Sequence, residues 1–215
     1  LPNANYYYIY DGYCEGIRYS DDTQLTLLEV YGLAGNRAFE QDEPFFEGNY
    51  DVIFKLPRVP NSGTYELRVA VGNGDGCGMM QIYLGTDKNN LSAIGLPLDM
   101  RYNEQTAATL FGYFIDSDLK DDNLRKERDM RNHDVMKGTN CYGSASSAGT
   151  TGGRNDGFAL HKLRHILYRG YVDQNKTYYI RFKTILSNPA AHLDIDYMEW
   201  CPKNVYAGVN AEDYW

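Results

Sequence analysis

The sequence predicts an all-β fold, a two-sheet antiparallel sandwich of the jelly-roll type with at most one or two short helices. Short segments that alternate between apolar and polar residues favour strands with one buried face. Clusters of Gly, Pro and Asn between these segments are typical of the turns in such folds. The chain also contains 20 tyrosines among its 215 residues, and tyrosine is a residue that strands favour.

Strands are clearest in the first half of the chain. Apolar and polar residues alternate in three segments: 49–56, 65–71 and 79–84. Turn-forming residues over 57–63 and 72–76 separate them. We expect these strands to form an antiparallel meander with one face in solvent, on which Glu66 and Arg68 lie.

The middle of the chain is less regular. A strand is predicted over 108–115, where bulky apolar residues cluster. A charged segment over 121–136 predicts a short surface helix, and 143–157 is rich in Gly, Ser and Thr and predicts a flexible loop.

Strand patterns return near the C-terminus. Tyr178, Ile180 and Phe182 alternate with polar neighbours, and 193–201 has apolar residues at both parities. The second pattern indicates a central strand buried on both faces, or a bulge. We expect one core between the two sheets, formed by Tyr65, Leu67, Val69, Tyr178, Ile180, Phe182, Ile195 and Met198.

Length favours one domain over 1–205, in which 1–47 gives the weakest signals, followed by a polar tail over 206–215. The net charge of −8 opposes binding to nucleic acid. No apolar run reaches the roughly 18 residues that a transmembrane helix needs. The first residue is not Met, so we expect the chain to be part of a longer one.

Four cysteines, at 14, 77, 141 and 201, include no Cys-x-x-Cys pair, which disfavours a structural zinc site. Two disulfides would suit an exported protein, and Cys77 and Cys141 are the favoured pair because both lie in Gly-rich loops. The alternative is that these residues pack as thiols, as expected for Cys201 at the end of an apolar strand.

Several segments resemble known families. GTYELRV at 63–69 with MQIYLG at 80–85, and LDIDYMEWCP at 193–202, resemble the central hairpin and closing strand of galactose-binding-like jelly rolls, which include many carbohydrate-binding modules. More narrowly, four segments resemble the C-terminal region of fasciclin-domain surface lipoproteins of Gram-negative gut anaerobes: 130–138, 163–167, 179–183 and 196–199. The resemblance spans about 48–205 and implies an exported chain at the cell surface or outer membrane, with a binding or cell-adhesion role.

Loops at the end of a sandwich are free to carry ligand-binding residues. The segments 73–77 and 137–142 are such loops, and Tyr142 is the candidate platform for stacking on a sugar ring. Asn73, Asp75 and Asn140 are the candidate partners for sugar hydroxyls. The alternative for Tyr142 is that it anchors its own loop.

Asp194 and Asp196 are the candidate metal ligands. They lie two residues apart on the closing strand and so on one face, where carboxylates could hold a structural calcium ion. The alternative is that these carboxylates pair with Arg181, Lys183 or solvent. No other cofactor is expected.

No catalytic motif is found: the sequence has neither a His-Glu-x-x-His pair nor a Gly-x-Ser-x-Gly elbow. We therefore expect a non-catalytic extracellular binding or adhesion module with a glycan or cell-surface partner. The alternatives are a spacer that packs against a neighbouring domain and a polysaccharide-active enzyme.

Overall fold

The computed structural model describes residues 7–8, 24–29, 42–72, 77–101, 131–137, 162–186 and 191–206. The strands in these ranges are β1 (Tyr7–Tyr8), β2 (Gln24–Glu29), β3 (Asp42–Glu47), β4 (Asp51–Leu56), β5 (Gly63–Gly72), β6 (Met79–Gly85), β7 (Ser92–Asp99), β8 (Val135–Lys137), β9 (Lys162–Val172), β10 (Tyr178–Thr184) and β11 (His192–Pro202). A single turn of helix, α1 (Lys203–Tyr206), follows β11.

The strands form two antiparallel sheets. The first sheet has the order β2-β3-β11-β5-β9-β8, with β1 paired to β11, and the second has the order β4-β10-β6-β7. The chain crosses between the sheets repeatedly: β3, β5, β9 and β11 lie in the first sheet, while β4, β6, β7 and β10 lie in the second. The resulting orders, β3-β11-β5-β9 and β4-β10-β6-β7, are those of a jelly roll, so the predicted fold is confirmed.

The predicted meander is wrong. Of the three strands assigned to it, β5 pairs with β9 and β11 in one sheet, and β4 and β6 flank β10 in the other. Alternation along a strand reveals its buried face but not its neighbour, and in a jelly roll successive strands belong to different sheets.

The core lies between the two sheets and contains all eight residues predicted for it, with Tyr178 at its margin. Phe182 of β10 is wholly buried and meets the Phe54 ring edge to face, with the ring centroids 5.9 Å apart. Trp200 of β11 lies in similar contact with Tyr65 and Tyr178.

The prediction for the closing strand is confirmed in both its parts. β11 is central, with β3 and β1 on one side and β5 on the other, and its register shifts between Ile195 and Tyr197. Because of this bulge, Ile195 and Met198 both belong to the core. Tyr197 and Glu199 are buried as well, so the strand is covered on both faces.

The outer face of β5 is not in solvent as predicted. Glu66 and Arg68 are both 0% exposed. The first sheet is therefore buried on both sides at its centre, and the charged residues of β5 are paired there instead of hydrated.

Five strands were not predicted: β1, β2 and β3 in the segment 1–47, β7, and β9, which pairs along the whole length of β5. Of the described residues in the predicted helix over 121–136, Arg131 and Asn132 are helical, and the end from Val135 is instead strand β8. The predicted strand 108–115, the loop 143–157, and most of 1–47 and of the tail lie outside the described residues. No helix of the described part is long and apolar enough to cross a membrane.

Cys77 and Cys201 are buried, and Cys77 belongs to the core. The pairing of Cys77 with Cys141 stays a prediction. Cys14 and Cys141 lie outside the described residues.

Candidate functional site

The outer face of the second sheet presents polar and aromatic side chains together. Alternation along β10 places Ile180 and Phe182 in the core and leaves Tyr179, Arg181 and Lys183 on the opposite side. These outward positions are half-buried or exposed. We call the surface formed by Asp51, Tyr83, Tyr179, Arg181 and Lys183 the Tyr–Arg face.

Arg181 is the fixed centre of this face. Its Nε donates to Oδ1 of Asp51 at 2.5 Å, and its Nη2 donates to Oδ2 of the same carboxylate. The guanidinium carbon also lies 5.2 Å from the centroid of the Tyr83 ring, within the range of a cation–π contact. The hydrogen bond to Asp51 raises the pKa of Arg181. The guanidinium is thus held by a carboxylate and a ring at once.

The two tyrosines lie on neighbouring strands. Tyr179 is opposite Gly85 of β6, and Tyr83 is opposite Arg181, so the two tyrosines are diagonal neighbours. Such neighbours are about 7–8 Å apart in an antiparallel pair. Gly85 itself has no side chain, but a Cβ at this position would lie 3.1 Å from the Leu91 side chain, so Leu91 borders this end of the face. The two rings and the guanidinium lie on one side of the sheet, where one ligand can contact them together.

Polar groups surround these planar groups. Lys183 is exposed and lies opposite Asp51 on one side and Gln81 on the other. The Gln81 amide donates to the carbonyl oxygens of Ile82 at 3.0 Å and Ile94 at 3.2 Å. Its amide oxygen therefore has a fixed position at the face.

A second group of charged residues lies on the outer side of the first sheet and is largely buried. We call it the ion cluster: Glu66, Arg68, Arg131, Asp134, Arg164, Arg169 and Glu199. Arg68 Nη2 lies 2.6 Å from Glu66 Oε2, and Arg68 Nη1 lies 3.2 Å from Glu199 Oε1. Arg164 Nη1 contacts the same Glu199 oxygen at 3.1 Å.

Glu66 is fully engaged in this cluster. Arg131 Nη2 and Arg169 Nε each donate to its Oε1 at 2.9 Å, in addition to the contacts from Arg68. Burial by itself would raise the pKa of Glu66, but the ion pairs with Arg68, Arg169 and Arg131 outweigh it and lower the pKa. An ionised carboxylate with both oxygens occupied is suited to joining strands, and we assign the ion cluster a structural role.

His165 of β9 is buried on the core side, and burial lowers its pKa to about 4. It is therefore neutral at pH 7. Within the described part of the chain, no three His, Cys, Asp or Glu side chains are grouped as a metal site would require.

The residues predicted to bind a ligand, Asn73, Asp75, Asn140 and Tyr142, lie outside the described residues, and their role stays a prediction.

Asp194 and Asp196 are both in β11. Asp194 is opposite Phe45 of β3, and Asp196 lies within the bulge. Strand alternation does not hold across a bulge, so alternation no longer places the two carboxylates on one face. The calcium site stays a prediction. The alternative pairing with Arg181, Lys183 or solvent also stays a prediction, although Arg181 itself is held by Asp51.

The Tyr–Arg face was missed although its signal was in the sequence. Tyr179, Arg181 and Lys183 share the polar parity of a strand whose apolar parity was assigned to the core. The contribution of Asp51 and Tyr83 could not be inferred, because it depends on which strands flank β10.

No protein-family model and no curated protein matches the chain. Among solved structures, the chain is similar to part of a xanthan lyase from Paenibacillus, with 14% identity and a TM-score of 0.36. The match covers 88% of this chain and only 13% of the lyase.

This comparison corrects the prediction that the chain is not an enzyme. The matched protein is a polysaccharide lyase, so the exclusion of catalysis is withdrawn. A match at this TM-score carries no argument for catalysis by this chain, and it does not bear on the resemblance to fasciclin-domain lipoproteins.

Proposed function

We propose that the protein binds glycans through the Tyr–Arg face, as part of an exported binding or cell-adhesion protein. The observation that supports the proposal is Arg181, which is held by Asp51 and stacked on Tyr83, with Tyr179 diagonal to that ring.

Sugar recognition needs two kinds of contact, and this face has both. The flat, weakly polar side of a pyranose ring packs on aromatic rings, and its hydroxyls need fixed donors and acceptors. A surface already held in place loses little conformational entropy when a ligand binds. Arg181, Asp51 and Gln81 are held in this way by their own hydrogen bonds.

The cellular setting is part of the proposal. The segments 130–138 and 196–199 resemble surface lipoproteins with fasciclin domains, and such proteins are exported to the outer membrane or cell surface. The net charge of −8 is compatible with that setting and opposes a nucleic-acid partner.

Binding can be tested on a glycan array, followed by calorimetric titration of the best glycan. We expect Tyr179→Ala to weaken binding about tenfold, a loss of ~1.4 kcal/mol, because it removes one stacking ring. Tyr171→Ala is the matched control: Tyr171 is 64% exposed on β9 of the first sheet, away from the Tyr–Arg face.

Equal losses in the two variants, or no loss in Tyr179→Ala, would place the ligand elsewhere, with the loops around Asn73 and Tyr142 as the next surface to test. Thermal melts of both variants should match the parent, since neither ring belongs to the core.

A structural spacer is the second candidate function. Leu96 is 88% exposed in β7, a large apolar side chain of the kind that packs against a neighbouring domain. Failure of the parent chain to bind any glycan on the array would favour this function.

A further inference from the structure

Among the described strands of the second sheet, the outward positions carry more positive than negative side chains, although the chain as a whole has a net charge of −8. The charged residues at these positions are Asp51, Lys55, Asp99, Arg181 and Lys183. Both carboxylates are already paired, Asp51 with Arg181 and Asp99 with Arg101. The carboxylates of these described strands are therefore already neutralised, and Lys183 takes no part in either pair.

The side chain of Lys183 places a positive charge at the surface of this face. Lys183 is the register partner of Asp51, but both carboxylate oxygens of Asp51 already accept hydrogen bonds from Arg181 in a bidentate contact. Among the described residues, no ion pair involves Lys183, and its side chain is exposed. An exposed ammonium beside an occupied carboxylate is available to an anion from outside.

Lys183 is in line with the stacking ring. Tyr179, Arg181 and Lys183 are successive outward residues of β10, and four residues of strand span roughly 13 Å. That length exceeds a single pyranose ring. A ligand that contacts both ends of this row is an oligosaccharide lying along β10.

We infer that the Tyr–Arg face takes an anionic glycan, one that carries uronate carboxylates, with a ring stacked on Tyr179 and a carboxylate at Lys183. The inference rests on the proposed function and specifies its ligand class. A polyanion is repelled by the acidic chain as a whole, so a cationic site on the face is what allows it to approach. A neutral glycan gains only hydrogen bonds from this ammonium, whereas a uronate gains a charge-assisted contact as well.

The test compares short oligouronates, of both the galacturonate and glucuronate types, with their methyl esters, which have the same rings but no charge. We expect the parent protein to bind at least one oligouronate more tightly than its ester. Lys183→Gln should weaken binding to the oligouronate about two- to fivefold, the range of an exposed ion pair, and leave binding to the ester unchanged. Raising the salt concentration should weaken binding of the acid only.

The matched control is Lys203→Gln, because Lys203 is an exposed lysine in α1, which lies beyond β11 of the first sheet. It should bind both ligands like the parent protein. If an acid and its ester bind equally well, and Lys183→Gln equals the parent while Tyr179→Ala is weakened, the ligand class is wrong and the proposed function stands. If Tyr179→Ala also binds like the parent, or the parent binds no glycan, both fail.

Discussion

Two arginines show how much the surroundings of a residue decide its role. Arg68 and Arg181 both stand at the polar parity of an alternating strand. Arg68 is 0% exposed and joined to Glu66 and Glu199, whereas the Arg181 side chain is 21% exposed and holds Asp51 at the surface. The same type of side chain therefore joins strands in the buried centre of one sheet and on the half-buried outer face of the other.

At the residue scale, Phe182→Ala should lower the free energy of unfolding by about 3–5 kcal/mol, because Phe182 is wholly buried against Phe54 between the sheets. Denaturant melts measure this loss. Tyr171→Ala, which removes an exposed ring, should cost far less. A loss below about 1 kcal/mol in Phe182→Ala would contradict the assignment of β10 to the core.

His165 makes a second prediction at this scale. Its folded pKa of about 4 is below the ordinary value of 6.5, so the unfolded chain binds the proton more readily. Its contribution to stability is complete above pH 6.5 and is lost as the pH falls from 6.5 towards 4, by up to roughly 3 kcal/mol.

The measurement for His165 is the slope of stability against pH in this window. His165→Gln should flatten the slope, whatever its effect on stability at pH 7. An unchanged slope in His165→Gln would show that His165 is not neutral and buried.

Glu66 acts at lower pH than His165. Its lowered pKa stabilises the fold above the ordinary value of 4.5, and this stability is lost as the pH falls through the lower pKa of the folded state.

At the scale of elements, β5, β9 and β11 are joined twice, by their hydrogen-bond ladders and by the ion cluster. Arg68 reaches from β5 to Glu199 on β11, and Arg164 reaches the same carboxylate from β9. Arg169 of β9 contacts Glu66 of β5. The hydrogen-bond ladders hold neighbouring strands in register. The ion cluster reinforces that register, because a shift of one strand would separate its buried carboxylates from their arginines.

Arg68→Ala should therefore destabilise the protein by about 3–5 kcal/mol, because it leaves the carboxylates of Glu66 and Glu199 buried without their central partner. Arg68→Lys should lose less, since it keeps the charge but cannot bridge both carboxylates in the same way.

Arg101→Ala is the control for charge, because it removes an exposed arginine paired with Asp99, and its unfolding curve should match the parent. Parent-like stability in Arg68→Ala, measured in the same denaturant melts, would contradict the structural role of the ion cluster.

At the scale of the molecule, the two sheets differ in what covers their outer faces. The centre of the first sheet is buried on both sides, as Arg68, Glu199 and Tyr197 show. The outer face of the second sheet is covered only in part: Ile53, opposite Arg181, is buried, whereas Tyr83 and Tyr179 are half-buried and Lys183 is exposed. A partly exposed face on a rigid sheet can meet a ligand, which is why the proposed function is assigned there.

The sequence by itself determined the fold class, the core and the irregular closing strand. These follow from local patterns: alternation in 65–71 and Tyr178–Phe182 reveals which face is apolar, and mixed parity in 193–201 indicates the bulge. Each of these properties depends on residues close together in the chain.

Only the tertiary structure decided which strands are neighbours and which polar faces are buried. Glu66, Arg68 and Arg181 all occupy the polar positions of alternating strands. Whether the polar face of a strand is buried depends on what covers the sheet, and the alternation does not show this. Asp51 and Tyr83 come to the sides of Arg181 because β4 and β6 flank β10, across 130 positions of sequence in the case of Asp51. Pairing of that kind is set by the crossing of the chain between two sheets, and no local pattern encodes it.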